Sequence, residues 1–202
     1  MVFTMAGNPW PEVGKVSTTT VRISVCVSLD GRVALSDDAP PNQEKFGGWT
    51  SPDDKKIFKD NVEWADFLIV GSKTLMQSPI IARLGKPIVV VSNGSPPIIP
   101  TDRSFLRYVV KPNKTSLVTL LDMFAGKKLL LCGGIMTYGT FLQFDLVDEI
   151  SMVVEPVILN SGPSFASNLI SSGTGKYLFE LLEVHRTNNG QTVHMRYKRK
   201  NT

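Results

Sequence analysis

The chain has 202 residues, 42% of them hydrophobic and 20% charged, a globular composition able to bury a sizeable core. Its net charge of +4 comes from dispersed lysines and arginines, which argues against a nucleic-acid partner but leaves a field suited to a phosphorylated ligand. Two cysteines and two histidines show no zinc-ligand spacing, and no segment approaches the roughly 18 apolar residues of a membrane span.

The opening "MVFTMAGNPWPEVGKVSTTT" lacks the basic and apolar regions of a secretory signal. It reads as an irregular arm over residues 1–19, followed by a single domain over 20–202. Cys26 and Cys132 both fall in apolar strands, as free thiols do in a reducing compartment, so a cytoplasmic location is expected.

Strand and helix signals then alternate. "VRISVCVSLDG" reads as a strand entering a turn. "SPDDKKIFKDNVEWA" reads as a helix with Ser51 as N-cap and Pro52 at its first position. "DFLIVG" is a short buried strand and "SKTLMQSP" a brief helix. "KPIVVVSNG" and "FLRYVV" are strands. "KTSLVTLLDMFAG" is a helix closed by Gly126. "KKLLLCGG" is a strand leading into a helix on which Met136, Phe141 and Leu142 share a face. "LVDEISMVVEPVIL" is a strand. "YLFELLEVHR" and "QTVHMRYKRK" form a hairpin about a turn at Asn188 to Gly190. The basic run Arg196 to Lys200 reads as a solvated edge strand. Short buried strands alternating with helices imply a largely parallel sheet covered on both faces, with an antiparallel C-terminal hairpin.

Parallel α/β sheets bind ligands at the C-terminal ends of their strands, and three such ends stand out. In "LLLCGGIMTYG", glycines let the backbone approach a ligand and the next helix N-terminus favours an anion. Gly133, Gly134, Ile135, Met136 and Thr137 therefore form either a pyrophosphate cradle or a bare strand-to-helix turn. In "LIVGSKT", Lys73 and Thr74 stand where a phosphate could be held, or simply cap a helix. In "IVVVSNG", Ser92 and Asn93 end a strand in an Asn-Gly turn. Together the three suggest a dinucleotide spread over several strand ends. The sequence has no G-x-G-x-x-G fingerprint.

"GSKT", "CGGIMTYGTFL" and "LVDEI", in this order, resemble the dihydrofolate-reductase-like fold. "FLQFDLVDEISMVVEPVILNSG" and "VSLDGRVAL" are most similar to the reductase domain of riboflavin biosynthesis, the C-terminal half of RibD-type deaminase–reductases. The resemblance covers Val21 to Lys198. It implies an α/β fold of that type, NADPH as cofactor and a homodimer. It also implies hydride delivery to C1′ of a 5-amino-6-(5-phosphoribosylamino)pyrimidine. Under it, Gly71, Lys73 and Thr74 hold the adenosine side, Ser92 and Asn93 lie near the 2′-phosphate, and Gly133 to Thr137 hold the pyrophosphate. The carbonyls of Cys26 and Cys132 become candidate carboxamide partners. The Gly-Gly pair makes an unusual turn beneath the cofactor, often through a cis peptide. Asp30 in "SLDG" matches an acid that contacts substrate; by itself, Asp-Gly is also a common turn pair.

Three departures qualify the resemblance. Cys132 stands where the riboflavin enzymes commonly have Glu. Ile135 replaces the third glycine of dihydrofolate reductases. The H-x-E and P-C-x-x-C pattern of the zinc deaminase half is absent, so the likeness extends to the reduction step. "WTSPDDKKIFK" in turn resembles the dihydrofolate-reductase pattern in which an Asp lies beneath the pterin. Here that residue is Asp54, at the head of the apolar stripe Ile57, Phe58, Val62 and Ala65. A first-turn acid favoured by the helix dipole is the alternative. Two other functions stay open: a pterin or dihydrofolate reductase, and a nucleotide-binding paralogue without catalysis.

Overall fold

The computed structural model describes residues 19–36, 48–94, 106–165, 176–187 and 190–200. The N-terminal arm, apart from Thr19, and most of the Asn188 to Gly190 turn lie outside them. Among the described residues eight strands form one sheet: β1 (Thr20–Ser28), β2 (Phe67–Gly71), β3 (Ile88–Ser92), β4 (Leu106–Val110), β5 (Lys128–Leu131), β6 (Glu149–Glu155), β7 (Phe179–Arg186) and β8 (Val193–Arg199). Their spatial order is β4-β3-β2-β5-β1-β6-β8-β7. The first six are mutually parallel, and β8 runs antiparallel to both β6 and β7. The expected mostly parallel sheet with a C-terminal hairpin is therefore present.

One expectation about the hairpin is corrected. β8 is not the edge: it lies between β6 and β7. Its basic run is partly engaged, since Arg196 bonds Glu183 at 2.6 Å and Glu149 at 3.3 Å. The edge role falls to β7, whose Leu181 and Val184 are exposed.

Among the described residues four α-helices cover the sheet: α1 (Pro52–Trp64), α2 (Ser72–Gln77), α3 (Lys114–Met123) and α4 (Ile135–Gln143). Helix α1 starts as its sequence requires, with Pro52 in the first turn and the Ser51 hydroxyl accepting the Asp54 N–H at 3.2 Å. Such a cap is worth about 1 kcal/mol. After α3, Gly126 takes a φ of 75°, a conformation glycine adopts without steric penalty.

Strand alternation sorts side chains between two cores. Val21, Ile23, Val25 and Val27 of β1 join Leu117, Phe124 and Phe141 from the α3 and α4 side. Leu68, Val70 and Leu130 pack with Val62 of α1 and Leu75 of α2 on the other face. On that second face β1 carries polar residues instead. Arg22 is buried, 3.6 Å over the Trp64 ring, and donates to Glu149 at 2.6 Å and Asn61 at 3.1 Å. Asn61 also donates to Ser151 at 2.9 Å, and Ser151 meets His194 at 2.8 Å. This network fixes the C-terminal half of α1 on the sheet. Asp54 stands seven residues earlier, two turns along and on the same face.

Candidate active site

The C-terminal ends of β1, β2, β3 and β5 open onto a cavity of about 1210 Å³. Its shape follows from where one ladder stops. β1 and β5 pair only as far as Ile23 and Leu131, because the chain turns away at Gly133 and Gly134. The Tyr138 hydroxyl donates to the Ser24 carbonyl at 2.7 Å. The rest of the β1 edge, through Cys26, borders the cavity.

The Gly133–Gly134 peptide is cis, and Gly133 has a φ of 115°. The Gly71 N–H donates to the Gly133 carbonyl at 2.7 Å, joining the end of β2 to this turn. A Cβ at Gly134 would lie 2.6 Å from Thr74 Oγ1, and one at Gly71 would lie 2.8 Å from Thr137 Oγ1. The glycines thus let α2, α4 and β2 close on one another. Helix α4 begins at Gly134 without a side-chain cap, so the first-turn N–H groups of Ile135 and Met136 carry the positive end of its dipole.

All the strand-end residues named from the sequence border this one cavity: Cys26; Gly71, Lys73 and Thr74; Ser92 and Asn93; Cys132, Gly133 and Gly134; and Ile135, Met136 and Thr137. Ser92 is buried and accepts the Gly94 N–H at 3.3 Å, which shapes the Ser-Asn-Gly turn. The Cys132 thiol donates to the Leu130 carbonyl at 3.7 Å.

The two carboxylates differ in placement. Asp54 lines the cavity beside Phe58. Burial, reinforced by the charge of Glu155, pushes its carboxyl up to about 6. Cys26 lines the same cavity, and burial raises its thiol far above the ordinary range, so it stays neutral at neutral pH. Asp30 is not among the lining residues. Its carboxylate accepts from the Ser28 hydroxyl at 2.6 Å and from the N–H groups of Leu159 and Asn160 at 3.1 and 3.0 Å. Led by the Ser28 contact, these bonds hold it down to about 2. Arg32 completes the clasp by donating to the Gly162 carbonyl at 2.9 Å. The clasp joins the loop after β1 to the loop after β6, which supply Val33, Ala34 and Pro163 to the cavity rim.

Two further buried groups carry no motif in the sequence. Tyr138 was hidden in an apolar helix, and its only signal was a hydroxyl four residues after Gly134. Glu155 is 3% exposed; its signal was a lone carboxylate between two valines and a proline.

Known proteins resemble this chain in family and fold. The model of the RibD C-terminal domain matches residues 19–193. The chain belongs to the RibD C-terminal domain family. That makes it a riboflavin-type reductase, an oxidoreductase. No curated protein matches the sequence. Among solved structures, a Shewanella sp. PV-4 protein assigned to riboflavin biosynthesis superposes with a TM-score of 0.71 at 19% identity, over 90% of this chain and 99% of that one. Acinetobacter baumannii RibD gives 0.69 at 17% identity, over 91% of this chain and 59% of RibD. Dihydrofolate reductase from Enterococcus faecalis, complexed with NADP(H), gives 0.63 at 11% identity, over 90% and 97%. At these identities the likeness to solved structures is one of fold. No described helix of this RibD C-terminal domain protein is long and apolar enough to cross a membrane. No metal-binding cluster of His, Cys, Asp and Glu occurs among the described residues.

Proposed function

We propose that this domain is an NADPH-dependent reductase in which Asp54 handles the proton. The observation that carries the reading is the presence of Asp54 in the same cavity as the glycine turn and the uncapped start of α4. The residues fit a dinucleotide. The α4 N–H groups suit a pyrophosphate. The β1 edge at Cys26, left by the early end of the β1–β5 ladder, offers peptide groups to a carboxamide. Lys73, Ser92 and Asn93 supply polar contacts on the far side for a 2′-phosphate. When bound, NADPH supplies the hydride.

The proposed substrate is the phosphoribosylamino-pyrimidine. Its reduction adds a hydride at ribose C1′, breaks the C1′ bond to the ring oxygen and protonates that oxygen. Asp54 is the cavity group able to hold that proton near neutrality. Lys55 and Lys59 line the same wall of α1 and supply positive charge for the substrate phosphate. A pterin is the second reading, favoured by Asp54 rather than Asp30 facing the cavity.

The test is NADPH oxidation with the pyrimidine phosphate beside dihydrofolate, for wild type, Asp54→Asn and Asp30→Asn. Turnover of the pyrimidine phosphate that is lost in Asp54→Asn supports the first reading. Efficient dihydrofolate turnover alone moves the assignment to the pterin. NADPH binding without turnover of either means a different acceptor, and no NADPH binding removes the NADPH-dependent reading.

A further inference from the structure

Glu155 sits at the end of β6, where the cavity does not reach, yet both oxygens of its carboxylate are engaged. One oxygen accepts the Ser51 N–H at 2.8 Å, and the other accepts the Thr192 hydroxyl at 2.8 Å. Thr192 is itself fully buried. Ser51 is the N-cap of α1, whose side chain holds the Asp54 N–H. One carboxylate therefore ties the first turn of α1 to β6 and to the residue before β8.

We propose that Glu155 is a positioning residue for Asp54, anchoring the turn that presents Asp54 to the cavity and keeping a second carboxylate behind it. The proposal deepens the reading of Asp54 as the proton-handling group and rests on it for its functional meaning. A buried carboxylate is costly unless its oxygens are satisfied. Here a backbone N–H and the Thr192 hydroxyl satisfy both. A fixed negative charge close to a half-buried carboxyl disfavours ionisation of that carboxyl. The groups facing Asp54 are the Cys26 thiol from β1, the Tyr138 phenol from α4, Lys55 on its own helix and Glu155 from β6. Burial keeps Cys26 and Tyr138 neutral. Lys55 favours the charged form of Asp54, and Glu155 alone among these opposes it by charge.

Glu155→Gln separates anchor from charge. The amide oxygen still accepts the Ser51 N–H, and the amide N–H can donate to Thr192, so the turn stays anchored while the charge is gone. Thr192→Val does the reverse, removing an anchoring bond and keeping the charge. Carboxyl titrations followed by carbon NMR on the ligand-free protein provide the readout. In Glu155→Gln the Asp54 midpoint should fall by about one pH unit, and in Thr192→Val it should stay at or above the wild-type value. An unchanged midpoint in Glu155→Gln, or the same fall in both variants, overturns the proposal. If Glu155→Gln does not fold, hydrogen exchange in Thr192→Val decides: the Ser51 and Asp54 amides should exchange faster than in wild type, and unchanged exchange overturns the proposal. Turnover is a separate readout. Full activity of Asp54→Asn alongside the expected shift would remove the functional reading and leave the coupling standing.

Discussion

Thr74 Oγ1 occupies the space that a side chain on Gly134 would need, 2.6 Å from the Cβ position. The glycine is therefore required by contact between α2 and the start of α4, as well as by any ligand above it. Gly134→Ala should destabilise the fold by about 1–3 kcal/mol through overpacking and weaken NADPH binding. Thr74→Ala in the same chain should restore most of that stability. Urea unfolding and NADPH titration of the single and double variants measure both effects; a Gly134→Ala protein of wild-type stability would show that α2 moves aside freely.

Asp54 should show opposite effects on activity and stability. Its folded carboxyl titrates at about 6, above the usual 3.9 of an unfolded chain. The folded state thus holds the proton more tightly, and stability is lost as pH rises from about 4 through 6. Asp54→Asn should be more stable than wild type by about 1–2 kcal/mol at pH 8, allowing for partial exposure, and equal to it near pH 3.5. Turnover should fall about 10²–10⁴-fold. The wild-type rate should decline above pH 6 as the acid form disappears. Thermal melts at both pH values and a pH–rate profile test the pairing of effects.

Asp30 is depressed rather than raised. Its clasp is complete at neutral pH and is lost as pH falls from about 4 toward 2. Asp30→Ala should speed hydrogen exchange at the amides of Leu159 and Asn160, with little change elsewhere in the sheet. KM should rise more than kcat falls, because the clasp shapes the cavity rim and the proposed proton carrier, Asp54, lies outside it. Unchanged exchange at both amides would mean the loop holds without the clasp.

Cofactor choice provides a fourth test. A charge-assisted contact to a 2′-phosphate is worth roughly 1.5–3 kcal/mol, so NADPH should bind at least about tenfold more tightly than NADH. Lys73→Ala should narrow that ratio mainly by weakening NADPH. Equal affinity of wild type for the two cofactors would contradict the placement of Lys73, Ser92 and Asn93 around a 2′-phosphate.

Local pattern alone determined a good deal of this protein. The Ser51-Pro52 start of α1, the apolar strands and the glycine-marked strand ends were legible because capping, alternation and tight turns depend on neighbours in sequence. The twelve strand-end residues border one cavity because parallel strands bring all their C-terminal ends to the same side. Tertiary structure decided the remainder. Asp30 and Asp54 look equally acidic in the sequence, and only the packing of the loop after β6 occupies one while α1 turns the other toward the cavity. β8 reads as a basic edge strand until Glu149 and Glu183 from two different strands claim Arg196. Glu155 reads as one acid in a strand, and its meaning depends on Ser51 and Thr192, which lie 104 and 37 residues away along the chain. Such long-range pairings satisfy buried charge, and no periodicity along the sequence encodes which partner will arrive.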